Sequence, residues 1–87
     1  MFLAEVRGNV VATTKNNKLV GKKLLIVQPL SPNFEPRGEA LIAVDTVGAG
    51  EGERVIITQG GSARALFSES TPVDAAIVGI IDSLEYR

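Results

Sequence analysis

Residues 2–12, FLAEVRGNVVA, carry an apolar or small side chain at every even position, whereas positions 5, 7 and 9 are polar. A period of two is the pattern of a β-strand that turns one face toward a core. Gly8 lies within the apolar series and has no side chain, and strands commonly bend or bulge at such a residue. The sequence therefore predicts a first strand over residues 2–12, bent near Gly8.

Four more strands and one short helix are predicted downstream. Branched and apolar runs predict strands at residues 24–27, 41–47, 55–58 and 75–84. Pro29 is expected to stop the second strand, and the prolines and glycine of residues 29–38 to form an irregular loop. The helix is predicted at residues 62–67, with Ser62 as its N-cap and Pro72 preventing its continuation.

The length of 87 residues favours a single domain, residues 1–87, because so short a chain cannot build two hydrophobic cores. Five short strands in such a domain favour a small closed barrel, since closure removes the exposed edges of an open sheet. The predicted fold class is all-β with one short helix.

Three of the predicted strands, residues 24–27, 55–57 and 77–81, are apolar on both faces. A small barrel buries only its inner face, so the outer side chains of these strands need cover. One short helix is too small to cover them all, and we therefore expect a partner surface. The alternative is that the loops and the helix provide the cover.

The composition excludes several classes of function. The chain has no cysteine, which excludes disulfides and thiolate sites, and no histidine, the commonest general base and metal ligand. A net charge of −1 gives no field that attracts nucleic acid or anionic membrane. Neither a basic leader nor an apolar run long enough to span a membrane is present in the sequence. We expect a cytoplasmic protein that is not an enzyme and has no catalytic residues, cofactor or metal.

Two motifs suggest chemistry at first sight. Ser62, within GGSAR at residues 60–64, lacks the second glycine of a G-x-S-x-G nucleophile elbow, and a helix cap is the favoured interpretation. The segment GAGEGE at residues 48–53 resembles a phosphate-binding loop, but that pattern requires glycine in place of Glu53 and a helix directly afterward. A glycine turn between two strands is therefore favoured.

An oligonucleotide-binding barrel is the main rival from another class of function. The only basic stretch of the chain that could bind an oligonucleotide contains Lys15, Lys18, Lys22 and Lys23. With three Phe, one Tyr and no Trp, the chain is poor in the aromatic platforms on which bases stack. A solvated basic loop is the favoured interpretation of the four lysines.

Five segments, in order along the chain, carry a resemblance to a known family. They are LAEVRGNVVAT at 3–13, GKKLLIV at 21–27, AVDTVGAG at 43–50 followed by Gly52 and Glu53, GSAR at 61–64 with PVD at 72–74, and IVGIID at 77–82. Together they resemble the EutN/CcmL family, the vertex proteins of bacterial microcompartments, which include carboxysomes and metabolosomes.

The resemblance implies a five-stranded OB-like barrel that assembles as a cyclic pentamer and caps the vertices of a polyhedral shell. It implies as partners the other copies of the homopentamer and hexameric shell proteins of a different family, in a shell in the bacterial cytoplasm, with no nucleic acid or membrane. The alternative is a non-catalytic, oligomeric OB-like barrel that binds a small ligand or an oligonucleotide.

The resemblance also places a subunit interface on two segments. Its expected residues are Asp45, Val47, Gly48, Ala49, Gly50, Ser62, Ala63 and Arg64. Arg64 would pair with a carboxylate or carbonyl of a neighbour through its planar fork of donors; the alternative is an exposed helix residue of little energetic importance. Gly48, Gly50 and Gly52 would be explained if the loops converge near the five-fold axis.

Overall fold

A computed structural model describes residues 1–13, 15–67 and 71–86 of the chain and contains the five predicted strands. The strands are β1 (Phe2–Val10), β2 (Leu24–Leu30), β3 (Leu41–Asp45), β4 (Arg54–Gln59) and β5 (Ala75–Ile80). A 3₁₀ turn, Asn17–Leu19, precedes β2, and the helix α1, Gly61–Arg64, lies between β4 and β5. The strands form a closed barrel in the order β1-β2-β3-β5-β4, which confirms the predicted OB-like fold.

All neighbouring strands in the barrel are antiparallel except β3 and β5, which run parallel. Only two residue pairs join β3 to β5, Val44 with Ala76 and Asp45 with Ile77. By comparison, β1 and β2 are joined by seven pairs. We call this short parallel contact the β3–β5 seam.

The bounds of all five strands differ from those predicted: β1 ends two residues early and β4 is one residue longer at each end, and the other three differ for identifiable reasons. β2 continues through Pro29 to Leu30, because beyond Val27 its strand partner is β1 alone and its other edge has only an isolated bridge between Leu30 and Pro36 among the described residues. Proline is tolerated on such an edge. β5 ends at Ile80, four residues early, because its partner β4 begins at Arg54, and the hydrogen bond from the Ile81 amide to the Arg54 carbonyl is the last one between the two segments in the described part of the chain. β3 ends at Asp45 instead of residue 47 because the chain turns there.

The bend predicted near Gly8 is a β-bulge at the preceding residue. Val6 lies opposite Val27 and Gly8 opposite Ile26, so Arg7 is the extra residue of β1. Because Ile26 lies on the outer face of β2, Gly8 and the even positions after it lie outside the barrel. The period of two therefore predicts the inward residues correctly up to Val6 and fails after the bulge.

The inner faces of the strands form one apolar core. Its fully or nearly fully buried members are Ala4, Val6, Leu25, Val27, Ala43, Ala49, Val55, Ile57, Ala75 and Ile77. All but Ala49 come from the strands, and burial of this apolar surface is the main force that closes the barrel.

A second apolar cluster covers part of the outer surface. Val44 and Ala76, which face each other across the β3–β5 seam, pack with Ala63 of α1 and with Val73. The partly buried Leu19, Leu24 and Phe67 complete the cluster. Loops and helix thus cover the outside of the seam, while Ile42 of β3 remains 52% exposed. No helix among the described residues is long and apolar enough to cross a membrane.

Candidate subunit interface

The carboxylate of Asp45 organises the loop that follows β3. Its Oδ1 accepts a hydrogen bond from the Val47 amide (3.0 Å) and its Oδ2 accepts one from the Ala49 amide (2.9 Å). The Asp45 side chain is only 3% exposed. A charged acceptor bonded to two backbone donors fixes the path of the chain in this loop.

Two further side chains hold the same loop, and the sequence did not single out either of them for this role. Lys23 donates from Nζ to the Ala49 carbonyl (2.6 Å) and lies 3.9 Å from Oδ2 of Asp45. Thr46 donates from Oγ1 to the Ile77 carbonyl of β5 (2.6 Å). The loop is thereby attached to β5 and to the chain just before β2.

Four of the five predicted interface residues of this loop fall into two groups, and the fifth, Gly50, is half-buried. Asp45 and Ala49 point inward, Ala49 being fully buried in the barrel core. Val47 and Gly48 are exposed, and the side chain of Val47 is an apolar group presented to solvent. Asp45 and Ala49 thus act as internal supports of a surface that Val47 and Gly48 present.

The glycines of residues 48–53 form a turn, as the favoured interpretation predicted. Gly48 and Gly52 have φ angles of 81° and 87°, in the left-handed region where a side chain is strained. The Gly50 amide donates to Oε1 of Glu53 (2.7 Å), so a backbone donor of the kind that would bind a phosphate is already bonded within the loop. The two positive φ angles explain Gly48 and Gly52 without any crowding by a neighbouring subunit.

The predicted cap at Ser62 is wrong, because α1 begins at Gly61 and its N-cap lies two residues before Ser62. Gly60 is the N-cap, with φ 64° and ψ −136°, a conformation that glycine adopts most readily. Ser62 lies inside the first turn and is exposed. Ala63 is fully buried and joins α1 to the second apolar cluster.

Arg64 has an exposed guanidinium group at the end of α1. It lines an open cavity of about 400 Å³ together with Gly61, Ala65 and Phe67. Among the described residues it forms no ion pair. The Phe67 ring in the same cavity has Lys22 Nζ at 5.1 Å from its centroid, a cation–π contact.

The structure brings both predicted segments to the β3–β5 seam. Val44, next to Asp45, packs in one cluster with Ala63, and Thr46 is bonded to Ile77. Two of the four lysines, Lys22 and Lys23, make contacts within the chain. No group of acidic residues that could hold a metal ion occurs in the described parts of the chain.

Comparison with known proteins gives consistent results. The family model described as "Ethanolamine utilisation protein EutN/carboxysome" matches residues 1–82. The chain is 48% identical over 86 residues to the microcompartment shell vertex protein GrpN of Rhodospirillum rubrum, covering 98% of this chain and 97% of that protein. It is 40% identical over 85 residues to the carboxysome shell vertex protein CcmL of Thermosynechococcus vestitus, covering 97% and 86%. The solved structure of the pentameric GrpN superposes with a TM-score of 0.90 at 47% identity, covering 100% of this chain and 99% of that one.

Proposed function

The chain belongs to the EutN/CcmL family of pentameric microcompartment shell vertex proteins, and from this premise we propose how its residues build the ring and which proteins the ring meets. The protein is structural and non-catalytic, and its place is the vertex of a microcompartment shell. The subunit contacts of the ring run through residues 45–50 of one copy and residues 62–64 of another. The ring's outer edge meets the hexameric proteins of the shell facets.

The buried Asp45 carboxylate is the observation that carries the interface proposal. A loop held by two backbone hydrogen bonds to Asp45 and by Lys23 presents Val47 in a fixed position. A surface that is rigid before assembly loses little conformational entropy on binding. Such a loop is therefore suited to a permanent contact between subunits.

Arg64 supports the second half of the interface. Its guanidinium group is exposed and has no ion-pair partner within the described parts of the chain. Arginine offers five donors in a planar fork that matches carboxylate oxygens. The proposal assigns these donors to a carboxylate or carbonyl of the adjacent subunit.

The geometry of a closed shell accounts for the hexameric partners. Hexagons alone tile a plane, so a closed shell needs five-fold units at its vertices. In a cyclic ring every contact is heterologous, which means that each subunit uses two different surfaces. The proposal assigns residues 45–50 to one of these surfaces and residues 62–64 to the other.

Native mass spectrometry of the purified chain and its variants tests the interface. We expect the wild-type chain to form a species of about 46 kDa, five times the subunit mass of 9.2 kDa. Val47→Asp should dissociate the ring at micromolar concentrations, because it buries an unpaired charge. Arg64→Ala should raise the concentration at which the ring dissociates by at least tenfold, and Arg64→Lys should not restore the wild-type value.

Arg37→Ala is the matched control, because Arg37 is an exposed arginine on the loop before β3. Arg37→Ala should leave the concentration at which the ring dissociates unchanged. If the Arg64→Ala ring persists at nanomolar concentrations, as the wild-type ring does, the role proposed for Arg64 is disproved. A wild-type chain that stays monomeric would disprove the ring itself.

A further inference from the structure

The β3–β5 seam leaves part of a strand edge without a partner. β3 pairs with β2 along residues 41–44, but with β5 only at Val44 and Asp45. The other edge of β3 at Leu41, Ile42 and Ala43 has no paired strand among the described residues. In an antiparallel pair, alternate residues point their amide and carbonyl groups away from the partner strand. This edge therefore offers free backbone donors and acceptors.

An apolar groove lies beside this free edge. Its volume is about 270 Å³, and one wall is formed by Ile42, Ala43 and Val44. The other sides are lined by Leu19, Leu24 and by residues 72–75, which lead into β5. A free edge next to apolar pockets is the arrangement that accepts an extended peptide as an added strand.

The segment after β5 has the properties of such a peptide. Residues 82–86, DSLEY, have no regular secondary structure and form no hydrogen bond with any described part of the chain. Leu84 and Tyr86 are 40% and 62% exposed. They are two residues apart, so in a strand both side chains lie on one face, which begins at Asp82, while Ser83 and Glu85 lie on the other. The segment thus carries two neighbouring apolar side chains on one face that its own chain covers only in part.

The match between the groove and the segment is apolar and not electrostatic. Asp74 is the one charged residue among the described residues that line the groove, while Nζ of Lys22 lies over the Phe67 ring and Nζ of Lys23 donates to the Ala49 carbonyl. The free backbone groups of β3 and the apolar side chains of the groove are therefore the features that an added strand would use.

We propose that the groove at the free edge of β3 receives residues 82–86 of a second copy of this chain as an additional strand. A ring in which each copy gives its segment to one neighbour and receives one from the other satisfies the heterologous contacts of a cyclic assembly. The proposal rests on the ring described above and adds a contact to it. It also gives a partner to the exposed side chain of Ile42.

Engineered disulfides test the contact directly, because the natural chain has no cysteine. Residues opposite each other in adjacent strands have Cβ atoms about 4.5–5.5 Å apart, close to the distance that a disulfide requires. Ile42→Cys combined with Leu84→Cys, or with Tyr86→Cys, should give after oxidation a ladder of linked species on a non-reducing gel. Ile42→Cys combined with Val11→Cys is the control and should give no ladder.

If neither combination gives a ladder although the native mass is still that of five subunits, the proposal is overturned and the ring stands. A wild-type chain without a five-fold mass would instead disprove the proposed function. Leu84→Ser should raise the dissociation concentration of the ring at least tenfold. Val11→Ser, which alters another exposed apolar residue, should leave it unchanged, and equal behaviour of the two variants would also contradict the proposal.

Discussion

Asp45 is the residue on which the loop after β3 depends most. Its buried carboxylate accepts the amides of Val47 and Ala49. In Asp45→Asn the side chain keeps one acceptor oxygen but turns a donor toward the second amide. A hydrogen bond to a charged group contributes about 1.5–3 kcal/mol, so we expect the free energy of unfolding to fall by about 2 kcal/mol. Urea unfolding measures this change.

Glu39→Gln is the control for this measurement, because Glu39 is exposed and lies in the loop before β3. Its unfolding free energy should stay within about 0.5 kcal/mol of the wild type. An Asp45→Asn protein as stable as the control would contradict the role assigned to the carboxylate.

At the residue scale, sequence reasoning identified where the loop residues lie but not what each one does. A family resemblance predicts that the segment containing Asp45 lies in the interface, whereas the hydrogen bonds of Asp45 appear only in the structure. Lys23 bonds to a carbonyl 26 positions away, and no local pattern marks such a contact. Ser62 was misplaced as the N-cap because serine favours caps, whereas the backbone of Gly60 adopts the conformation that begins the helix.

Helix α1 is fixed to the barrel by one small residue. Ala63 is fully buried between the helix and the seam residues Val44 and Ala76. Ala63→Leu should lower the free energy of unfolding by about 1–3 kcal/mol, because extra methyl groups in a filled cluster force neighbours apart. Ala65→Leu, at an exposed position directly after the helix, should change it by less than about 0.5 kcal/mol. Equal effects of the two variants in thermal unfolding would show that the cluster has room for a larger side chain.

At the scale of elements, all five strands and the helix were predictable from local patterns, and their ends were not. A strand ends where its partner ends, as β5 does at Ile80, and pairing is a property of the sheet and not of the segment. The bulge at Arg7 reverses the faces of β1 by inserting one unpaired residue. Neither pairing partners nor the parallel order of β3 and β5 follows from the hydrophobic pattern alone.

For the whole molecule, assembly and stability are coupled. Because only folded subunits can join the ring, the unfolding temperature rises as the protein concentration rises. We expect the midpoint of thermal unfolding to rise by several degrees over a hundredfold increase in chain concentration. Differential scanning calorimetry measures this shift, and Val47→Asp, which should not form the ring, should show a midpoint independent of concentration.

The shortness of the β3–β5 seam also determines where the barrel opens first. Local opening requires the least free energy where the fewest hydrogen bonds are broken, and the seam has two residue pairs against four or more at every other strand boundary. Backbone amides of β3 and β5 at the seam should therefore exchange with deuterium sooner than those of β1, as mass spectrometry of peptide fragments would measure. Opening at the seam would separate β3 from β5 while the hydrogen bonds of Asp45 within the loop after β3 stay intact.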